Sequence, residues 1–336
     1  MSTSTSKTII FEQFGQSDVL KVKEVPVPSV GDGQVRVKVA AVGLNRAEAL
    51  IRAGIFFEKP TLPSGIGYEG AGTVEAIGKG VTKFKVGDRV VVIPTARISP
   101  SSTTNSEHIV FPENLLAPIP ANQSFADAAA TWTAYLTAYF AIYEYGITIK
   151  STDTVVITAA SSSVALAFIH YVKSFGATVI ATSRTNAKKD QIIAQGADHF
   201  IATGEEDLVK RIRELTKGAG ANLFLDPVGG AQLEKLVFAA AYEASFIIYG
   251  TLSREPAVLP VGATIGNHLT IKGYSVLSFY QNPQAVERAQ QFITKFIATH
   301  KVPSIVGQVL KGIESIPAGH MILDSADLFG KVIVEF

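Results

Sequence analysis

The chain has 336 residues, of which 47% are hydrophobic and 18% charged, with a net charge of +1 and no cysteine. This length and composition predict a soluble globular protein of about two domains and exclude a disordered one. The near-neutral charge offers no attraction to nucleic acid, and no apolar run reaches the ~18 residues of a membrane span. The missing cysteines exclude disulfides, thiolate nucleophiles and cysteine-bound zinc. We therefore expect a cytoplasmic protein whose partners include neither nucleic acid nor a membrane.

The first 125 residues are predicted to form a β-rich region. Segments that alternate polar with apolar side chains, as half-buried strands do, lie at residues 34–42, 73–77 and 89–93. Residues 46–52 fit a short helix closed by Gly54, whereas residues 1–7 are expected to fray. Residues 94–105 are polar and contain proline, so we expect a surface loop there.

From about residue 126 the sequence predicts alternating helices and strands. Ser124 is a suitable N-cap for a helix that runs to about Tyr145, where Gly146 ends it. Short apolar strands are predicted at residues 155–158, 178–182, 221–225 and 245–249. A long helix at residues 283–299 and a strand at residues 331–336 follow. This alternation predicts the α/β class, with a doubly wound parallel sheet.

The turn after Thr158 has the spacing of a dinucleotide-binding turn but lacks its glycines. Small residues, Ala160, Ser162 and Ala165, replace the glycines of G-x-G-x-x-G. The N-terminus of the following helix still favours a pyrophosphate, and the serines at 161–163 add hydroxyl donors. The alternative is a small-residue turn in an α/β protein that binds no nucleotide.

The end of the next predicted strand indicates which nucleotide is bound. An NAD site usually carries Asp or Glu there to accept from the ribose 2′-OH. This chain has Ser183, Arg184 and Lys188, with no acidic residue before Asp190. These side chains suit an anionic 2′-phosphate, so we predict NADPH. The alternative is a solvated basic helix start, which the helix dipole disfavours.

Together these features resemble the medium-chain dehydrogenase/reductase superfamily, in its zinc-free quinone oxidoreductase branch. The resemblance spans nearly the whole chain and depends on the motifs at residues 42–45, 52–54, 67–72, 86–90, 136–139, 159–166, 226–229 and 330–332. It implies a GroES-like β-rich catalytic domain at residues 1–125, completed by residues 280–336. A Rossmann NADPH-binding domain is implied at residues 126–279, with catalysis in the cleft between the domains.

The resemblance also implies roles for individual residues. Asn45 matches an asparagine beside the nicotinamide ribose and substrate, the alternative being a buried amide that caps its own strand. Lys331 matches a lysine that reaches the cofactor, the alternative being a solvated lysine at a strand edge. The other implied cofactor contacts are Thr137 near the nicotinamide, Ser161, Ser162, Ser163 and Val164 at the pyrophosphate, Ser183, Arg184 and Lys188 at the 2′-phosphate, and Tyr249, Gly250 and Leu252 beneath the nicotinamide.

No metal is expected in this site. Zinc-dependent relatives carry a histidine in a Gly-His-Glu segment, where this chain has Tyr68. The six histidines of the sequence are scattered without ligand spacing and are expected to be structural. Without a Lewis acid, alcohol oxidation is disfavoured, whereas hydride transfer to an electron-poor acceptor needs only positioning and one proton.

The source of that proton is left open by the sequence. Enoyl reductases of this superfamily often place a tyrosine where this chain has Phe56, which cannot donate a proton. Tyr68 is one candidate for a catalytic acid, and protonation by solvent is the alternative. Phe56, Phe57 and Phe279 suggest an apolar substrate pocket, although aromatic side chains of this kind also belong to cores.

The resulting hypothesis is an NADPH-dependent reductase of quinones or α,β-unsaturated carbonyl compounds, enones or enoyl groups, that works without zinc. The alternatives are a ketone or aldehyde reductase on the same scaffold and a non-enzymatic NADPH-binding protein. The resemblance also implies a homodimer that pairs at a sheet edge formed by residues 245–249 and 269–274.

Overall fold

The computed structural model describes residues 4–57, 59–94, 103–325 and 327–336. The chain divides into two compact units. The first contains Met1–Ala134, Tyr280–His300 and Ser304–Phe336, and the second contains Tyr135–Phe279 and Lys301–Pro303. Within the described residues, no helix combines the length and the apolar character that crossing a membrane requires.

The first unit begins with eight strands and two helices. In chain order these are β1 (Thr5–Phe11), β2 (Lys21–Pro26), β3 (Gln34–Leu44), α1 (Arg46–Arg52), β4 (Ser64–Gly65), β5 (Glu69–Ile77), β6 (Arg89–Val92), β7 (His108–Pro112), β8 (Leu116–Pro118) and α2 (Phe125–Tyr139). Helix α2 passes into the second unit after Ala134 and continues as a π-helical turn at Phe140–Glu144. The predicted stop follows, because Gly146 has a positive φ of 76°.

The second unit alternates strands and helices as predicted. Its elements are β9 (Thr154–Ile157), α3 (Ser163–Ser174), β10 (Thr178–Ser183), α4 (Lys189–Ala194), β11 (His199–Ala202), α5 (Leu208–Leu215), β12 (Ala221–Asp226), α6 (Ala231–Phe238), β13 (Ala240–Ile248), α7 (Val261–Gly266) and β14 (Thr270–Gly273). The chain then returns to the first unit with α8 (Pro283–Thr299), β15 (Val306–Lys311), α9 (Ile316–Asp324) and β16 (Lys331–Glu335).

The second unit contains a six-stranded parallel sheet in the order β11-β10-β9-β12-β13-β14. Counted from β9, this is the strand order 3-2-1-4-5-6 of dinucleotide-binding folds, and it confirms the predicted parallel sheet. The direction of winding reverses between β9 and β12, and ligands of such sheets bind beyond the carboxyl ends of the strands at that point. Strand β13 has a neighbour on each side, so residues 245–248 are not at an edge, in contrast to the prediction; β14 is the edge strand.

The first unit contains a seven-stranded sheet in the order β15-β16-β3-β5-β6-β8, with β7 also paired to β3. Strand β16 runs antiparallel to β3, with Val332 opposite Leu44. This register brings the start of β16 beside the end of β3, although the two strands lie at opposite ends of the sequence. Val332, Ile333 and Val334 are fully buried and anchor β16 in the core, since burying such a side chain contributes about 1.5–3 kcal/mol.

Two predictions about irregular segments were wrong for the part of each segment that the structure describes. Residues 5–7 belong to β1, and Ser6 is buried, so this part of the N-terminal segment does not fray. Of the predicted surface loop at residues 94–105, positions 95–102 lie outside the described residues. Its end, Thr103 to Asn105, is buried because the side chains bond to backbone: Thr103 Oγ1 donates to Ile66 O, and Thr104 Oγ1 donates to Glu69 O.

Candidate functional site

The turn after β9 positions the predicted pyrophosphate residues at the start of α3. Ala159 has a positive φ of 47°, a conformation for which glycine is the usual residue, and the Ser162 N–H closes the turn on Ala159 O at 2.9 Å. Ser162 is the N-cap of α3, its Oγ accepting from the Ala165 N–H at 3.3 Å. Residues 161–164 are half-buried. The turn thus forms without glycine and presents hydroxyls and a helix N-terminus.

The end of β10 carries the predicted 2′-phosphate residues. Ser183 is half-buried, and its carbonyl accepts from the Thr203 N–H at 2.8 Å, which fixes the strand end. Arg184 is exposed, and Lys188 is half-buried. The nearby carboxylate of Glu205 accepts from the Asn186 backbone N–H at 3.0 Å and from the Asn186 side chain. The carboxylate of Glu205 is therefore close to the predicted 2′-phosphate residues, but its hydrogen bonds are made to Asn186.

The loops after β12 and β13 supply the remaining cofactor candidates of this sheet. The buried Asp226 carboxylate accepts from the N–H groups of Val228 and Gly229, each at 3.0 Å, and so shapes the loop after β12. Next to it, Tyr249 is half-buried, and its hydroxyl oxygen is enclosed without a hydrogen-bond partner among the described residues. Burial raises the pKa of this hydroxyl.

These loops fit a dinucleotide. A Cβ added to Gly250 would lie 2.9 Å from Pro227 O, so only glycine allows the two loops to approach this closely. Leu252 is 44% exposed in the same loop. A buried hydroxyl without a partner costs about 1–3 kcal/mol, which a bound polar ligand would offset at Tyr249. The strand order, the helix N-terminus and this hydroxyl all suit a nucleotide cofactor.

The first unit holds a second polar cluster, which contains Asn45 and Lys331. Lys331 Nζ lies 2.6 Å from Asn45 Oδ1 and 2.5 Å from Glu69 Oε1. The Asn45 amide donates to Glu69 Oε1 at 3.1 Å and to Gly43 O at 3.2 Å. Lys331 is only 2% exposed, so the alternative of a solvated lysine was wrong. The alternative for Asn45 was a buried amide that caps its own strand. This alternative accounts for one of its contacts, the hydrogen bond to Gly43 O at the end of β3.

Glu69 and Glu48 belong to this cluster, although the sequence analysis assigned them no role. Glu69 Oε2 also accepts from the Thr133 N–H of α2 at 2.8 Å. Glu48 Oε1 accepts from Asn45 Nδ2 at 2.9 Å, and both carboxyl groups are fully buried. Burial raises the pKa of Glu48 to about 7, and the negative charge of Glu69 adds to the shift. The sequence feature that could have indicated the role of Glu48 is its position among the apolar residues of α1.

Two tyrosines are near Glu69. Tyr68, the candidate acid, is 8% exposed and packs in the core of the first unit. Tyr280, which the sequence analysis did not select, is the second. Burial raises the pKa of the Tyr280 hydroxyl, and the charge of Glu69 and the Tyr68 hydroxyl raise it further. Each tyrosine is a phenol beside a buried carboxylate, so the cluster holds a second acid candidate.

The aromatic pocket candidates are in different units. The rings of Phe56 and Phe57 contact each other in the first unit, with centroids 4.1 Å apart, and Phe57 is 71% exposed. Phe279 is in the second unit, where its ring stacks on Phe140 at 5.0 Å. Thr137 is also in that unit, buried on α2, and its carbonyl accepts from the Tyr274 hydroxyl at 2.9 Å.

Family models, curated relatives and solved structures that match this chain include dehydrogenases and oxidoreductases. Residues 31–136 match the family model "Alcohol dehydrogenase GroES-like domain", and residues 163–293 match "Zinc-binding dehydrogenase". Quinone oxidoreductase 1 of Escherichia coli is 33% identical over 248 residues, 73% of each chain. The crystal structure of Escherichia coli quinone oxidoreductase complexed with NADPH superposes with a TM-score of 0.87 at 26% identity, over 98% of this chain and 100% of that one. That of an NAD-dependent alcohol dehydrogenase gives 0.88 at 31% identity, over 98% and 99%.

The chain belongs to the medium-chain dehydrogenase/reductase superfamily. Within it, the relatives place the chain in the quinone oxidoreductase-like branch. The resemblance and the fold class predicted from the sequence are thereby confirmed, with a GroES-like domain and a Rossmann-type parallel sheet. The relatives, which include quinone oxidoreductases and an enoyl-[acyl-carrier-protein] reductase, support an oxidoreductase in general.

The superfamily contains zinc enzymes, so the potential metal ligands of this member are informative. Within the described ranges, no three side chains of the His, Cys, Asp or Glu type are grouped to hold a metal ion. His170, for example, is buried between the Tyr135 hydroxyl at 2.5 Å and Gln195 Oε1 at 2.9 Å. Burial lowers the pKa of His170 to about 4, which fits a structural histidine.

Proposed function

We propose that this oxidoreductase transfers hydride from NADPH to a quinone or an α,β-unsaturated carbonyl compound, without zinc. The observation that carries the cofactor choice is the end of β10, where Ser183 and the exposed Arg184 stand in place of an acidic residue. A cation at this point favours a 2′-phosphate over a 2′-OH. The Glu205 carboxylate does not oppose this, because it bonds to Asn186.

The cofactor would be held by the loops at the strand ends of the parallel sheet. Ser161, Ser162, Ser163 and Val164 at the start of α3 would bind the pyrophosphate, and Ser183, Arg184 and Lys188 the 2′-phosphate. Tyr249, Gly250, Leu252 and Thr137 would contact the nicotinamide end. Asn45 and Lys331, in the first unit, keep the cofactor roles that the family resemblance implies. When bound, the reduced nicotinamide supplies the hydride.

Side-chain chemistry supports the proposal that the enzyme works without zinc. The chain has no cysteine, and Tyr68 occupies the position of a zinc-binding histidine. The ammonium of Lys331 is the cation of the Asn45 cluster, and it is held by Glu69. A positive charge near an acceptor oxygen stabilises the anion that hydride addition produces. Hydride addition to a quinone or an enone gives an anion that is already stabilised by delocalisation. These reactions therefore need less stabilisation by a metal ion or another cation than the reaction of an alcohol or a simple ketone.

The cofactor proposal is tested by titrating NADPH and NADH into the wild-type protein and the Arg184→Ala variant. Loss of one charge-assisted hydrogen bond removes about 1.5–3 kcal/mol, so NADPH affinity should fall about 10- to 100-fold and NADH affinity little. Lys189→Ala, which removes a neighbouring exposed cation, is the matched control and should change neither. Equal weakening of both cofactors would reject the 2′-phosphate assignment.

The substrate proposal is tested by turnover of NADPH with 1,4-benzoquinone, an enone, an enoyl thioester and a simple ketone. Oxidation of the cofactor with the quinone or the enone, unchanged after treatment with a chelator, supports the proposal. Turnover of the ketone alone would favour a ketone or aldehyde reductase. Tight NADPH binding with none of the four reduced would favour a non-enzymatic NADPH-binding protein.

We also propose a homodimer that pairs through β14. This edge strand presents open hydrogen-bonding groups, and exposed apolar side chains precede it, including Val258, Val261 and Ile265 at 59–69% exposure. Sedimentation velocity should give twice the chain mass for the wild type. Ile265→Lys should shift the protein toward monomer, whereas a monomeric wild type would contradict the proposal.

A further inference from the structure

Two carboxyl groups are buried side by side in the first unit, and the available ammonium binds one of them. Lys331 Nζ contacts Glu69 Oε1 and Asn45 Oδ1. The Asn45 amide nitrogen lies between the two acids, 2.9 Å from Glu48 Oε1 and 3.1 Å from Glu69 Oε1. Both acids are fully buried. An ionised Glu48 would therefore place a second negative charge in a region that holds one cation.

Among the described residues, the other groups that face Glu48 do not supply a positive charge. From α9, His320 Nε2 lies 3.9 Å from Glu48 Oε2, but burial and the charge of Arg52 lower the pKa of His320 to about 3, so the ring is neutral. Arg52, one turn along α1, pairs with Asp324 at 2.7 Å. From the segment before β7, Asn105 Nδ2 is 3.5 Å from Glu48 Oε2. The backbone N–H of Tyr68 also donates to the Glu48 carboxyl group.

On the basis of the proposed reductase function, we propose that Glu48 is protonated in the working enzyme and is a positioning residue for hydride transfer. Its neutral carboxyl holds the Asn45 amide through Oε1 and leaves Lys331 shared between Asn45 and Glu69. Ionisation of Glu48 attracts the ammonium away from Asn45 Oδ1, because two carboxylates then compete for it. Asn45 loses its fixed orientation, and the reaction slows.

Side chains near Glu48 Oε2 carry acceptors that a protonated carboxyl can use. Both ring nitrogens of His320 and Oδ1 of Asn105 are buried and lack a hydrogen-bond partner within the described part of the chain. A neutral imidazole carries one acceptor nitrogen, and an amide oxygen is an acceptor. A carboxylate cannot donate to either group, whereas a protonated carboxyl has one O–H to donate and still accepts from the Asn45 and Asn105 amides. The protonated form therefore fits these contacts, and it is favoured by the complete burial of Glu48 beside the Glu69 carboxyl group.

The protonation state is tested without any activity measurement. Infrared spectra of the wild type at pH 6 and pH 9 should show a protonated-carboxyl C=O band at pH 6 that is lost at pH 9. The isosteric variant Glu48→Gln should lack the band at both values. Glu75→Gln, which changes a partly exposed acid paired with Arg36, is the control and should keep it. A wild type without the band, or a Glu48→Gln protein that retains it, would overturn the proposal.

The positioning role is tested by the pH dependence of kcat with NADPH and the accepted quinone or enone. Wild-type kcat should fall about tenfold between pH 6 and pH 9, because the ionised fraction of Glu48 rises over that range. Glu48→Gln should show no such fall. Glu48→Asp keeps an ionisable carboxyl group and should show the fall. This second variant keeps the test decisive if Glu48→Gln does not fold. The same fall of kcat in the wild type and in Glu48→Gln would reject the positioning role of Glu48, but not the proposed reductase function. Absence of wild-type turnover at every pH rejects the proposed function, while the infrared result still decides the protonation state.

Discussion

The Nζ atom of Lys331 lies 2.6 Å from the Oδ1 atom of Asn45, although 286 positions separate the two residues. The contact exists because β16 pairs with the end of β3, which sets Val332 opposite Leu44. Strand pairing, rather than sequence proximity, therefore assembles this polar cluster. Because the charges of this cluster are buried, substitutions in it should change the stability of the protein by measurable amounts.

Replacing Lys331 with methionine should strongly destabilise the protein. The variant leaves Glu69 fully buried without its ammonium partner, and breaking a buried ion pair in this way costs about 3–5 kcal/mol. Urea denaturation at pH 7.5 measures the loss. Lys311→Met is the matched control, because Lys311 pairs with Glu335 at the surface, and such pairs contribute less than about 1 kcal/mol. Similar losses in both variants would contradict the buried pair.

Replacing Ser162 with alanine should affect both the stability and the proposed cofactor site. Loss of the N-cap of α3 lowers the free energy of unfolding by about 1 kcal/mol. Loss of the hydroxyl should also weaken NADPH binding, by about fivefold for one hydrogen bond of about 1 kcal/mol. Calorimetric titration and urea denaturation measure the two effects.

The N-cap of α5 provides the control for this experiment. Asp207 accepts from the Lys210 N–H at 3.0 Å and is not among the proposed cofactor contacts. Asp207→Ala should therefore lower the stability by a similar amount and leave NADPH affinity unchanged. If Ser162→Ala behaved in the same way, the turn after β9 would be a small-residue turn without a bound pyrophosphate.

The stability of the protein should fall as the pH rises toward neutrality, and Glu48 should account for part of this fall. Its pKa is about 7 when folded, against 4.5 for an unperturbed glutamate, so the folded state binds the extra proton between these values. Its favourable contribution is complete below pH 4.5 and is lost as the pH rises to 7, by an amount on the order of 3 kcal/mol. Glu48→Gln should lack this component in urea denaturation between pH 5 and 8. An unchanged slope would contradict the raised pKa.

Replacing Asp324 with asparagine should destabilise the protein moderately. Arg52 is 1% exposed, and its guanidinium pairs with Asp324, whose side chain is 39% exposed. Removing the countercharge leaves a buried cation, but water reaches the aspartate end of the pair, so the loss should be about 1–2 kcal/mol. Thermal unfolding of Asp324→Asn and of Asp324→Glu measures it. The glutamate variant, which keeps the charge, should lose less, and the reverse order would rule out the electrostatic explanation.

Local patterns sufficed for the fold and for part of the site. The apolar runs and turn residues predicted the parallel sheet, and Gly146, with a φ of 76°, ends the helical segment that begins with α2 as expected. The motif resemblance selected Asn45 and Lys331, which the structure brings into contact. Whether these and the other selected residues bind a cofactor or a substrate remains a prediction.

The remaining members of the cluster could not be selected from the sequence. Glu69 lies in the motif at residues 67–72, and Glu48 lies between the motifs at residues 42–45 and 52–54, yet a charged residue is by default expected at the surface. Their importance depends on burial and on contacts with β16, which are decided by strand pairing across the whole chain. The burial of Thr104 and Asn105 was missed for the same reason, since their backbone and side-chain bonds go to residues 66–69 and to β1.

The late position of Lys331 in the sequence has a consequence for how the protein is made. A ribosome adds residues from the N-terminus, so Asn45, Glu48 and Glu69 all leave the exit tunnel long before their ammonium partner exists. Until then, closing the β-rich unit would bury two acids with no cation between them. Closure of this unit is therefore disfavoured until residue 331 has been translated, and a pause shortly before that codon would prolong the interval in which apolar strands are accessible to chaperones.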